Sequence, residues 1–442
     1  MKNIYILLIL SFLITSCQKE KADLIIINSN TYTVNEKFEN AEAFAVKDGK
    51  FIAVGTTKEI QENYESENVI DAKNQTVVPG LIDAHCHFYR MGLQQQKVEL
   101  EGTKSYDEVL EKLVAFQKEK NVAFITGRGW DQNDWDVKEF PTKEKLDKLF
   151  PTTPVAIGRV DGHALLVNQA AIDLSEITAD TKVSGGEIII ENGKMTGILI
   201  DAAMDFIKFP ETSKEEAIQG LLDAQKISFS YGLTTVDDAG LDRNTIELID
   251  DLQKSNTLKM RVYAMVSADK QEQIDYYIKK GITKTDRLNV RSFKVYGDGA
   301  LGSRGAAMRK PYSDRENHFG ALIYAPERYQ EIAKQIAASE FQMNTHAIGD
   351  SSNTWMLKTY KEALKNHENR RWRIEHAQII SSKDFSNFDN ILPSVQPTHA
   401  TSDMYWAEDR IGKDRMKGAY AFRNRFSSRK SKSVFNFLFC YL

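Results

Sequence analysis

The sequence predicts an α/β fold: a TIM-like (β/α)₈ barrel lacking its eighth strand, preceded by a small N-terminal β domain. Three observations predict it. Strand-like and helix-like segments alternate from Gly232 onward, as they do where helices connect the strands of a parallel sheet. Residues 24–78 alternate apolar and polar positions with turn signals between them. The apolar run "VVPGLIDAHCHF" (77–88) closes on His85 and His87, which a strand would present on one face.

The chain opens with Met1-Lys2 and the short apolar core "IYILLILSFLIT". That core is too short for a comfortable membrane span and fits a secretory signal. Ile14-Thr15-Ser16-Cys17 resembles the lipobox of bacterial lipoproteins, and "CQKEKAD" supplies a polar tether. The expectation is a signal peptide over 1–17, lipidation of the Cys17 thiol, and a lipid-anchored protein of the bacterial cell envelope, on the periplasmic side or at the outer membrane.

A small β-sandwich-like domain is expected over 18–76, built from "DLIIINSNTYTV", "EAFAVKDGKFIAVG" and "NVIDAKNQTVVPG", with a hairpin at Asp48-Gly49. The barrel is expected over 77–424, with strands at 77–85, 233–237, 261–266, 291–297, 341–346, 371–376 and 391–396. Helical patterns such as "NTIELIDDLQKS" and "ERYQEIAKQIAASE" separate them. A long insert, 88–232, follows the first strand and ends in a helix around "EEAIQGLLDAQKISFSYG". Chemistry in such barrels sits at the C-terminal strand ends, where the loops carry substrate contacts.

The 58 basic and 62 acidic residues give a net charge of −4, so no basic excess argues for a nucleic-acid partner. Beyond Cys17 only Cys86 and Cys440 remain, too few for a disulfide framework. Cys86 lies between the two histidines and faces the other way, as a small hydrophobe in the packing.

Four of the eight histidines fall at predicted strand ends: His85 and His87 after the first, His346 after the fifth, His376 after the sixth. One such histidine alone reads as a hydrogen-bonded core residue; four on one rim read as ligands of a metal ion. Lys294, in the fourth strand, is either ion-paired with Asp298 or a neighbour, or becomes an anionic ligand as a carbamate.

The blocks "VPGLIDAHCH", "GRGWDQNDW", "DGHALLVN", "YGLTTVDDAG", "FKVYGDGALGSRGA", "NTHAIGD" and "IEHAQ" occur in an order that resembles the amidohydrolase superfamily, and within it amidohydrolase family 3, the branch similar to N-substituted formamide deformylases. The resemblance implies one or two divalent metals, zinc above all, with His85 and His87 on the first, His346 and His376 on the second, and carboxylated Lys294 on one or both. It implies hydrolysis of a small amide or formamide by metal-activated water. Asp298, Asp350 and Arg304 lie in matching blocks as candidate catalytic or substrate-binding groups. Trp130 and His163, in the insert, either shape the substrate pocket or pin the long loop.

The sequence departs from that pattern near its end. The family's last ligand is an aspartate in a "GSDxP"-like block, which is not found here. After "GAYAFRN" (418–424) comes a basic tail, 425–442, and from Arg423 onward there are five basic residues and no acid. The expectation is a truncated barrel with impaired activity. Two rivals remain: a deaminase or cyclic amidase of the same superfamily, and a non-catalytic binding lipoprotein. Oligomeric state is left open.

Overall fold

The computed structural model describes residues 19–421 except 161, 163, 184, 185 and 303, so Cys17, His163 and the basic tail lie outside the described residues. The chain divides into two compact units, one ending at Leu81 and one beginning at Ile82.

In the first unit a four-stranded sheet runs in the order Lys50–Gly55, Ala43–Lys47, Leu24–Ile27, Val69–Asp71. Ile25, Ile27, Ala43, Ala45 and Ile60 form its core. The expected hairpin is present: Asp48 and Gly49 take φ of 51° and 72°, the left-handed pair that a two-residue turn between twisted strands requires. A separate three-stranded sheet pairs Asn30–Tyr32 with Asn40–Ala41 and Thr76–Val77.

The second unit contains seven parallel strands in sequence order: Leu81–Cys86 (β1), Leu233–Leu241 (β2), Arg261–Ser267 (β3), Leu288–Tyr296 (β4), Gln342–Ala347 (β5), Arg373–His376 (β6) and Leu392–Ser394 (β7). All seven expected strands are found. The first begins later than expected because Pro79-Gly80 breaks the run, and Thr76–Val77 joins the other unit's sheet. Among the described residues nothing pairs beyond β7, so β1 and β7 are the edges of a nearly closed barrel.

Strand alternation separates two environments. Outward residues such as Val236, Val266, Phe293, Val295, Met343 and Ile374 pack against helix residues Ile249, Ile274, Ile336 and Leu357. Inward residues are polar and buried: Asp83 and His85 on β1, Asp237 on β2, Ser292 and Lys294 on β4, Asn344 on β5, Arg373 and Glu375 on β6. Barrels of this kind are usually filled by layers of branched aliphatic side chains. Here the filling is charged, so the barrel depends on each charge finding its partner.

The insert is more than a loop. It holds a six-stranded sheet, Val98–Glu99, Ile125–Trp130, Val155–Arg159, Ala164–Val167, Lys194–Asp201 and Gly186–Glu191, with apolar clusters of its own. The helix that leaves β1 (Phe88–Gln94) meets the helix that leads into β2 (Lys214–Ser230) at Gly92 and Gly220. A Cβ on Gly92 would stand 1.9 Å from the Gly220 carbonyl oxygen, so only glycine allows this approach.

Candidate metal centre

Parallel pairing carries the rim residues together. His85 ends β1, and His87 is the residue from which the Phe88–Gln94 helix starts. Lys294, His346 and His376 come from β4, β5 and β6. The ring centroids of His85 and His376 lie 4.7 Å apart, those of His376 and His346 4.6 Å, and those of His85 and His87 5.7 Å. The Lys294 amine stands 3.4 Å from His85 Nε2 and is 1% exposed. Five residues spread over nearly 300 positions thus share one end of the barrel.

His376 reaches this point by an irregular backbone. Successive strand residues face opposite sides, and Glu375 already faces inward to His85. His376 and Ala377 adopt φ of 69° and 44°, left-handed values that are disfavoured for residues with a Cβ. That turn brings the imidazole back to the side occupied by Glu375. Gln396, just past β7, holds it there: His376 Nδ1 donates to Gln396 Oε1 at 2.6 Å.

The electrostatics keep the imidazoles neutral. Burial pushes His87 down to about 4 and His346 down to about 3, with the Lys294 ammonium adding to both. Burial also lowers His85 and His376, the latter helped by His85, His346, the Lys294 ammonium and His399. Lys294 falls to about 8 through burial, against the pull of Glu375. A neutral imidazole is the form that ligates a metal.

These residues fit a metal by their chemistry. Two buried ring nitrogens, His87 Nδ1 and His346 Nε2, have no hydrogen-bond partner, a state that costs about 1–3 kcal/mol each when nothing else is bound. Asp298 Oδ1 lies 3.7 Å from His346 Nε2, beyond hydrogen-bond reach. Among the described residues no three histidine, cysteine or carboxylate groups already stand at ligand distance around one point, so the donors are gathered without yet closing on an ion.

Comparison with known proteins follows the same line. Residues 68–426 match the amidohydrolase family. The chain belongs to the amidohydrolase family. It is therefore a hydrolase of carbon–nitrogen bonds. Similar proteins include LONG AFTER FAR-RED 3 of Arabidopsis thaliana (29% identical, 91% of this chain and 73% of that protein) and the putative amidohydrolase YtcJ of Bacillus subtilis (28%, 90% and 77%). The N-substituted formamide deformylase of Arthrobacter pascens is 26% identical over 81% of this chain and 70% of its own length. A solved structure described as an uncharacterized metal-dependent hydrolase from Pyrococcus furiosus superposes with a TM-score of 0.76 at 24% identity, covering 92% of this chain and 83% of that one.

Other residues of this amidohydrolase that the sequence singled out lie in varied settings. Asp298 ties rim loops together, accepting from the backbone N–H groups of Ala307, Ile348 and Gly349 at 2.8, 3.0 and 2.8 Å. Asp350 opens the Asp350–Ala363 helix, where a carboxylate is favoured, and accepts from Arg309 N. The Arg304 guanidinium is engaged on both prongs by Asp314. Trp130 is fully buried in the insert's core with its indole N–H on the Ile157 carbonyl; of its two open roles, pinning the insert is the one its contacts describe. Cys86 packs against the barrel core. Glu375, Arg373, Gln396 and His399 were not singled out; His399 stacks on His376 at 5.5 Å. The signal available was the alternation of Arg373 and Glu375 about Ile374 in β6, directly before His376.

Asp238, at the outward side of β2, accepts from Tyr89 N at 2.9 Å, and burial raises its pKa to about 7. A carboxyl raised in the fold stabilises it fully below the unfolded value near 3.9, and that stability is lost as pH rises through about 7. In metal-free protein, Asp238→Asn is expected to flatten the fall of unfolding free energy between pH 5 and 8 by roughly 2–3 kcal/mol. Urea unfolding across that range checks this; equal slopes in the two proteins would show that Asp238 is not held protonated.

Proposed function

We propose that this amidohydrolase is metal-dependent and opens the carbon–nitrogen bond of small amides, N-substituted formamides being the favoured substrate class. The observation that carries the proposal is the His85–His376–His346 array, with ring centroids 4.6–4.7 Å apart, beside the buried Lys294 amine. The metal-dependent hydrolase from Pyrococcus and the formamide deformylase from Arthrobacter support the metal and the substrate class respectively.

His85, His87, His346 and His376 would hold one or two divalent ions, zinc suiting such imidazole donors. Lys294 would join them as a carbamate: its neutral amine attacks carbon dioxide, an N–C bond forms as one C–O π bond opens, a proton leaves the nitrogen, and one negative charge is shared over the two carbamate oxygens. Its depressed pKa, about 8, supplies the neutral amine near neutral pH. When bound, the metal polarises the carbonyl and makes water a stronger acid. The protein's own part is to orient and to shield. Glu375 and Gln396 fix two imidazoles, and Asp298 holds the loops after β4 and β5 together.

With zinc supplied, the protein should release amine from at least one member of a panel of N-substituted formamides and N-acyl amides. His346→Ala should lower kcat/KM by about 100-fold or more together with bound zinc, in keeping with losing a metal ligand. Undiminished turnover after exhaustive chelation would contradict the proposal.

The Ile14–Cys17 stretch favours lipidation and a membrane-surface location for the protein. Among the described residues no helix is long and apolar enough to cross a membrane. Labelled palmitate fed to a bacterial host should enter the protein and fail to enter Cys17→Ser; label in neither would remove the anchor.

A further inference from the structure

Beneath the histidine rim, the barrel interior carries a chain of contacts that ends on His85. Arg373 is 9% exposed and lies at its centre. Its Nε donates to Glu375 Oε1 at 2.7 Å, its Nη1 to Asp237 Oδ2 at 3.0 Å, and its Nη2 to the Ala84 carbonyl at 3.1 Å and the Met265 sulfur at 3.5 Å. One guanidinium therefore bridges β1, β2, β3 and β6. Glu375, completely buried, uses its second oxygen on the ring: His85 Nδ1 donates to Oε2 at 2.7 Å. On the other side of the same imidazole, His85 Nε2 faces the Lys294 amine.

We propose that Glu375 is a positioning residue that fixes His85 as its Nδ1–H tautomer, with the Nε2 lone pair turned toward Lys294 and the candidate metal centre. A carboxylate offers acceptors on both oxygens, and Arg373 and His85 each take one. Arg373 can only donate, so it binds an acceptor and never competes for the His85 proton. The guanidinium's further bonds to Asp237 and Ala84 hold Glu375 at a fixed height in the barrel. The consequence for metal binding rests on the metal-dependent reading above; the tautomer itself does not.

Glu375→Gln keeps the shape and removes one acceptor. Arg373 claims the amide oxygen, the amide N–H₂ then faces His85 Nδ1, and the ring must carry its proton on Nε2 instead. The Nε2 lone pair is lost to the centre. Glu375→Asp keeps the charge that Arg373 needs but draws the carboxylate back from His85, which guards against a variant that merely fails to fold.

The test is ¹⁵N-histidine NMR of the metal-free protein, with the His85 signals assigned by their loss in His85→Asn, alongside zinc affinity by chelator competition. The native protein should show His85 as the Nδ1–H tautomer. Glu375→Gln should convert it to the Nε2–H form, Glu375→Asp should leave a mixture, and both should weaken zinc binding by roughly 10–100-fold, the usual effect of losing an outer partner of a ligand. An Nδ1–H tautomer that persists in both variants would overturn the proposal. A tautomer that changes as stated in a protein that binds no zinc would sustain it and overturn the metal-dependent reading instead.

Discussion

The barrel is held around a buried ion network, Arg373 with Glu375 and Asp237, and the placement of the rim depends on it. Burial alone would raise Glu375, yet the guanidinium of Arg373 and the ring of His85 outweigh it and hold the carboxyl well below its usual range. Asp237, with one contact to Arg373, stays raised at about 6 because burial dominates there. Such networks seldom add stability over apolar filling, and breaking one by removing a partner costs about 3–5 kcal/mol. A charged interior here is better understood as a support for the histidines than as a source of stability.

A second constraint is geometric. Strand β6 must present Glu375 to the interior and His376 to the rim, and a regular strand cannot send neighbours to the same side. The left-handed pair at His376 and Ala377 resolves this conflict at a conformational cost, and the Gln396 bond offsets part of it. Backbone strain at His376 and two unpartnered ring nitrogens, on His87 and His346, thus occur together at the candidate metal centre.

Much of this was legible in the sequence for physical reasons. Strand and helix periodicities are local, so all seven barrel strands and the Asp48-Gly49 hairpin could be read from short windows. Strand order then followed from parallel connections, and the four histidines fell on one rim. The rest was hidden because it is not local. Glu375 next to His376 would be placed on the opposite face by alternation, and no glycine at 376 announces the left-handed turn. The partners of Arg373 come from β1, β2 and β3, which only register brings near. The insert's own sheet, with Trp130 packed in its core, likewise rests on pairings between distant segments that no short window displays.

The proposed centre draws its ligands for one or two divalent ions from the ends of β1, β4, β5 and β6. Crystals grown with zinc and measured at its absorption edge test it most directly. The expected result is an anomalous peak bounded by the imidazoles of His85, His87, His346 and His376 and by Lys294. Peaks confined to the protein surface, with no signal at that rim, would contradict it.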